Sequence, residues 1–210
     1  KIIVDYNYWI KNPSHENTYP LILFSDYLHN KDLLLNNDLN FLKVKTTDIK
    51  DLLKVNIKKN IVIILESNND HFMVDMRSFF FSMMKNKIPV ILSRYYNFTD
   101  FNQTRIYSST DLGGLFIQGF GDGIFIKSNN VTDSKIKKLN NLSFKILQAA
   151  RVRVTSTDFI SCPSCGRTLF DLTETTARIR DKTNHLKGLK IGIMGCIVNG
   201  PGEMADADYG

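Results

Sequence analysis

The strongest constraint on the fold is a set of short, almost purely apolar runs that recur through the first 120 residues. They are Ile2–Val4, Leu21–Phe24, Ile61–Leu65, Val90–Leu92 and Leu115–Ile117. Runs this short and this apolar read as strands buried on both faces, the signature of parallel sheets. Between the third and fourth, Phe72, Met76, Phe79, Phe80 and Met83 recur at helical spacing, with Ser67-Asn68-Asn69-Asp70 offering cap residues ahead of them. Those side chains read as core rather than as a ligand pocket. Strand, helix and strand in alternation predict an α/β fold, a parallel sheet or barrel with right-handed crossovers. Asn7 to Tyr19 shows no helical pattern and reads as loop, as does the cluster Asn36, Asn37 and Asn40.

Composition then splits the chain. Residues 1–150 hold 18 Asn and residues 151–210 hold two; no glycine precedes Gly113, and all three cysteines fall in the last 49 residues. A boundary near residues 150–153 is expected, giving domains 1–150 and 151–210. Gly119-Phe120-Gly121-Asp122-Gly123 lacks the full spacing of a nucleotide loop. It reads as a tight turn whose glycines supply positive φ. Beyond it, Thr132 or Asp133 can cap a helix with apolar positions Ile136, Leu139, Leu142, Ile146 and Ala150, a bridge between the domains.

Several classes are set aside. A chain of 210 residues, 43% hydrophobic, can bury one large or two small cores, so neither disorder nor a disulfide mini-scaffold is expected. No apolar run approaches the roughly 18 residues of a membrane span, and no membrane partner is expected. The net charge of +6 divides into 19 basic against 14 acidic residues in 1–150 and eight against seven in 151–210. It is diffuse and lacks aromatic interleaving, so a solvated basic surface is preferred over a nucleic-acid face. The chain opens on Lys1 without a signal-type or leader segment, and is taken as an internal or processed piece.

Chemistry concentrates at the cysteines. Cys162-Pro163-Ser164-Cys165 precedes a helix with apolar face Leu169, Leu172, Ile179 and Leu186 that stops at Lys187-Gly188. An apolar strand from Leu189 to Met194 then runs into Gly195-Cys196 and a loop through Ile197 to Glu203. All three thiols can converge. A CxxC pair suits a dithiol redox site, a zinc site or one side of an iron–sulfur cluster. Zinc needs a fourth ligand, for which His185 is available in the helix's last turn. A cluster needs one too, and Glu203 is the obvious donor, a hard and exchangeable carboxylate among soft thiolates. In the blandest reading Cys196 is only a small buried hydrophobe.

The flanking residues narrow the choice. Ser161-Cys162-Pro163-Ser164-Cys165-Gly166-Arg167-Thr168 and Ile193-Met194-Gly195-Cys196-Ile197-Val198-Asn199-Gly200-Pro201-Gly202-Glu203 closely resemble the cluster motifs of the 4-hydroxy-3-methylbut-2-enyl diphosphate synthases. These are iron–sulfur oxidoreductases of the non-mevalonate isoprenoid (terpenoid) pathway. The resemblance is highly specific over residues 151–210, moderate over 113–150 and faint before that. It implies that Cys162, Cys165, Cys196 and Glu203 ligate one [4Fe–4S] cluster, with Glu203 and Asn199 serving catalysis. It implies a cyclic diphosphate substrate, a ferredoxin-type electron donor and a plastid or apicoplast location; separately, the Asn/Lys-rich first part looks like AT-biased apicomplexan proteins. By the same resemblance to three-domain members, residues 1–150 are the later part of an inserted (β/α) barrel-like domain with a bridging helix. Residues 151–210 are an α/β, ferredoxin–sulfite-reductase-like iron–sulfur domain, incomplete at its C-terminus. Ile126 falls where two-domain members have the Arg of a barrel-closing turn, so the insert is expected to have lost phosphate-handling residues. The fragment alone is expected to turn nothing over. The competing reading is a zinc-binding, nucleic-acid-interacting module.

Overall fold

The computed structural model describes residues 2–12, 15–30, 32–129, 131–162, 166–198 and 200–210, with only the backbone of Glu203. Its chain divides into two compact units, Lys1–Val152 and Arg153–Gly210.

The first unit is α/β. Strands β1 (Ile2–Asp5), β2 (Thr18–Leu23), β3 (Asn40–Lys45), β4 (Ile61–Glu66), β5 (Val90–Tyr96) and β6 (Gly123–Ser128) form a single sheet, all parallel and ordered β1 to β6. Helices α1 (Tyr6–Lys11), α2 (Phe24–His29), α3 (Ile49–Leu52), α4 (Phe72–Ser82), α5 (Phe101–Ser108), α6 (Gly114–Ile117) and α7 (Asp133–Ala149) lie between or after them. Strand order that never reverses, joined by right-handed crossovers, puts every crossover on one face of the sheet. The core follows that rule. Ile22, Leu42, Val44, Ile63, Leu65, Val90 and Leu92 pack against helix residues such as Leu52, Phe72, Met76, Phe79, Leu139 and Ile146. The sheet curls as half of a barrel. Its opposite face carries Phe41, Lys43 and Lys45 on β3, and Val62, Ile64 and Glu66 on β4. Ile91, Ser93 and Tyr95 follow on β5, and Phe125 and Lys127 on β6.

Local sequence explains the best-defined elements. Five β-branched or aliphatic residues in succession make β4. Thr132 caps α7, its hydroxyl accepting the Lys135 N–H at 3.3 Å, and Leu139, Leu142 and Ile146 line the buried stripe. Gly119 and Gly121 take φ of +80° and +87° in the turn into β6, as the spacing predicts. A Cβ at Gly121 would fall 2.8 Å from Leu92 Cγ.

Other expectations are corrected. Leu115–Ile117 is not a strand but belongs to α6. Buried positions Thr104, Ser108, Leu112, Leu115 and Phe116 fall at spacings of three or four along α5, a π-helical turn at Ser109–Gly113, and α6. Two of them are polar, which hides the helical period. Asn7–Tyr19 contains α1 and the start of β2 rather than loop throughout, and Phe24 opens α2 rather than closing β2. Asn36 and Asn37 lie in loop, but Asn40 begins β3. In β3 Lys43 and Lys45 interrupt the apolar run, because its two faces meet different surroundings. His71, not Ser67–Asp70, is the N-cap of α4. Ser67 instead donates to the Asp75 carboxylate, which also receives Thr46 Oγ1.

The second unit is a small β–α–β arrangement of β7 (Asp158–Ser161), α8 (Leu172–Thr183) and β8 (Lys190–Ile193), followed by α9 (Gly200–Met204). β7 and β8 run parallel. Leu172, Ile191 and Ile193 form its core with Phe159, Cys162, Ile179 and Leu186. Asp171 caps α8 by accepting the Glu174 N–H at 2.9 Å. Leu169 lies ahead of α8 and is 98% exposed, so it is not part of the apolar face. The helix ends at Thr183, and Gly188, at φ +90°, closes the following turn. Gly200 to Glu203 are helical, not loop.

Candidate functional site

Cys162 and Cys196 leave neighbouring parallel strands at the same end. Ser161 pairs with Ile193 as the last rung of the β7–β8 ladder. Cys162 follows immediately, its N–H donating to the Ile193 carbonyl at 3.1 Å. Cys196 stands three residues beyond the same rung. Both are half-buried, and neither is in a disulfide. Adjacent parallel strands are about 4.8 Å apart, so their carboxyl ends bring the two loops together without any long-range accident of packing.

The loops are interlocked at Thr168 and Gly195. A Cβ built on Gly195 would stand 2.5 Å from Thr168 Oγ1 and 2.7 Å from its Cγ2. The Thr168 hydroxyl is buried and has no hydrogen-bond partner among the described residues. A buried hydroxyl without a partner costs roughly 1–3 kcal/mol, and here it lies between the two thiol-bearing loops. Beside Cys162 a groove of about 550 Å³ runs along α8 past Thr173, Thr176 and Arg180, giving the cysteine a polar approach. The Arg180 guanidinium stacks over Phe159 at 5.1 Å.

Glu203 belongs to α9, and α9 is anchored by Met204, which packs where Gly192 of β8 leaves room. Cys165 and Asn199 lie outside the described residues. Among the described residues no three His, Cys, Asp or Glu side chains gather around one point; Cys165 and the Glu203 side chain are not among those compared. His185 stands away from the thiols. It follows the end of α8, where the carbonyls of Thr183 and Leu186 each lie 2.9 Å from the Thr157 hydroxyl, ahead of β7. Cys162 is at the other end of that strand, about 15 Å along the chain direction at 3.3 Å per residue. The geometry therefore removes His185 as a fourth ligand with Cys162. Asp208 is an exposed loop residue whose carboxylate accepts the Lys190 N–H at 2.8 Å and ties its loop to β8. Asp206 and Arg167 are exposed.

Comparison with known proteins decides the kinship. Residues 158–210 match the family described as GcpE protein C-terminal domain. The whole length of the chain aligns at 40% identity with 34% of the 4-hydroxy-3-methylbut-2-en-1-yl diphosphate synthase (flavodoxin) of Parabacteroides distasonis.

The chain belongs to the GcpE family.

Two further GcpE relatives bracket the similarity. The flavodoxin-type synthase of Leptospira interrogans is 47% identical over 152 residues, which is 72% of this chain and 22% of that protein. The chloroplastic ferredoxin-type synthase of Arabidopsis thaliana is 56% identical over 105 residues, 50% of this chain and 14% of that protein. The chain thus spans about a third or less of the length of these relatives. The alignment with the Parabacteroides distasonis synthase extends through residues 1–112 as well.

Proposed function

We propose that this chain carries the iron–sulfur portion, with the adjoining part of a barrel-like insert, of a 4-hydroxy-3-methylbut-2-enyl diphosphate synthase. The reaction converts 2-C-methyl-D-erythritol 2,4-cyclodiphosphate to 4-hydroxy-3-methylbut-2-enyl diphosphate, opening the ring with two electrons and releasing a hydroxyl as water. The carrying observation is that Cys162 and Cys196 leave β7 and β8 at one end, with the buried Thr168 hydroxyl, unpartnered among the described residues, between their loops.

Under this reading Cys162, Cys165, Cys196 and Glu203 hold one [4Fe–4S] cluster. Such a cluster, when bound, supplies the electrons and a Lewis-acidic iron. The three cysteines are the permanent anchors, and the carboxylate of Glu203 is the exchangeable donor because oxygen is the poorest match to a thiolate-rich site. Its position on α9, tethered through Met204, lets one short element move without disturbing the β7–β8 ladder. Asn199, on the segment between Cys196 and α9, is assigned to positioning the substrate. The Thr168 hydroxyl donates toward sulfur, and Arg180 offers a cation beside Cys162. The electron donor is a small one-electron protein of flavodoxin or ferredoxin type. The ferredoxin assignment and a plastid location rest on the likeness to the chloroplastic relative.

Residues 1–150 fit a barrel-like domain, because a curled sheet in unreversed strand order leaves half-exposed apolar residues on its inner face. Leu23, Tyr95 and Phe125, 45–49% exposed, are of this kind. In this reading further strands outside residues 1–210 cover them.

Anaerobic purification followed by iron, sulfide and zinc analysis tests the assignment. Iron and sulfide in equal amounts, lost on Cys196→Ser, are expected. Stoichiometric zinc without sulfide would sink it in favour of the zinc-binding module. In the full-length enzyme, Glu203→Ala is expected to abolish the substrate-induced spectral change; an intact change would refute the exchangeable carboxylate.

A further inference from the structure

The first unit carries a charged cluster that the proposed chemistry leaves unused. Glu66, the last residue of β4, accepts Lys127 Nζ at 2.6 Å and lies 3.4 Å from Lys43 Nζ. Ser93 Oγ is 3.5 Å from the same carboxylate. All four residues occupy the face turned away from the helices, toward the carboxyl ends of four neighbouring strands. Ile126 points into the helix-side core and supplies no cation there, but Lys127, one residue on, faces the opposite way.

Two ammonium groups share one carboxylate, so the cluster carries a surplus positive charge. Its layering is also asymmetric. The Glu66 side chain is 14% exposed, whereas Lys43 and Lys127 are 34% and 30% exposed. The anion sits at the floor and the cations stand on the open side. Lys45, on the same face of β3, adds a third cation. Parallel α/β sheets bind ligands at the carboxyl ends of their strands. Partly desolvated ammonium groups in excess are stabilised by an anion that completes their pairing.

We propose that Lys43, Lys127 and Lys45, set on Glu66 and Ser93, form a binding site for a small phosphate-class anion on the inner face of this sheet. The site is separate from the cysteine-bearing unit and does not depend on what those cysteines hold. Glu66 acts as its floor, positioning both lysines and limiting its affinity by its own negative charge.

The test uses the full-length protein and inorganic diphosphate. Lysine acylation is followed peptide by peptide by mass spectrometry, with Lys54, an exposed residue paired to Asp51, as internal control. Diphosphate is expected to slow modification of Lys43 and Lys127 about threefold or more, and to leave Lys54 unchanged. Glu66→Gln is expected to tighten the protection constant about tenfold, since it removes the one repulsive charge at the site. A purely structural ion pair predicts a lower melting temperature with no gain in binding. Absence of protection would overturn the proposal, as would lysines already unreactive without diphosphate, because the rest of the protein then fills the site. Should Glu66→Gln fail to fold, Lys127→Met decides in its place: it must abolish protection of Lys43, and retained protection refutes the site.

Discussion

Replacing Gly195 with Ala tests the interlock on which the cysteine geometry depends. The new methyl would meet Thr168 at 2.5 Å from Oγ1, 2.7 Å from Cγ2 and 3.2 Å from Cβ. Carbon contacts are comfortable near 3.5–4.0 Å, so two atoms are compressed by close to an ångström. Overpacking of this kind costs about 1–3 kcal/mol. The loop bearing Cys196 or the loop bearing Thr168 must shift. Hydrogen exchange at the Gly192 and Ile193 amides of β8 reads the local opening, and a cost of about 1–3 kcal/mol accelerates it roughly 5- to 150-fold. Under anaerobic reconstitution the same variant is expected to retain less iron and sulfide. Thr168→Ala in the Gly195→Ala background removes both severe contacts and leaves only the 3.2 Å one. It should recover most of the lost protection, giving a coupling of about 1–2 kcal/mol in a double-mutant cycle. Unchanged exchange in Gly195→Ala, or no rescue by the second change, refutes the interlock.

Three other outcomes follow from the first unit. Gly119→Ala, at φ +80° with open space around it, should cost about 1–2 kcal/mol from left-handed backbone alone. Gly121→Ala adds the Leu92 collision and should cost about 1–3 kcal/mol more; equal urea midpoints would contradict the packing argument. Thr132→Ala should lower stability by about 1 kcal/mol through loss of the α7 cap, read from thermal unfolding. Tyr96, 3% exposed, has its phenol pKa pushed well above the ordinary value, first by burial and then by the neighbouring Asp111 carboxylate that accepts its hydroxyl at 3.0 Å. The raised value means that the unfolded chain loses this proton first. Stability is therefore full below about pH 10 and falls as pH rises beyond it. Tyr96→Phe should flatten that alkaline decline in denaturant titrations, and an unchanged slope would sink the assignment.

Motif spacing and periodicity were sufficient for much of this. The parallel α/β class was legible in runs such as Ile61–Leu65, and α4 and α7 in their apolar spacing, because those signals live within a few residues. The turn at Gly119–Gly123 was legible because positive φ is a local demand. The CxxC, Cys196 and Glu203 pattern, with its flanks, suggested the ligand set proposed above through family resemblance. Leu115–Ile117 was misread because three apolar residues fit either period, and the helix containing them buries Thr104 and Ser108 through tertiary contacts.

Amino-acid order alone therefore nominated the residues proposed to carry the chemistry and determined the α/β class of the fold. Tertiary structure decided which of them meet. It placed Cys162 and Cys196 at one end of a parallel ladder and His185 beyond the other, a separation invisible in the numbering. It set the Thr168 hydroxyl, without a partner among the described residues, against Gly195, 27 residues further along the chain. It also gathered Lys43, Ser93 and Lys127 around Glu66, although they come from four strands. The reason is physical: local sequence fixes backbone conformation, while charge pairing and burial depend on lateral strand register, and register is set by packing between segments distant in the chain.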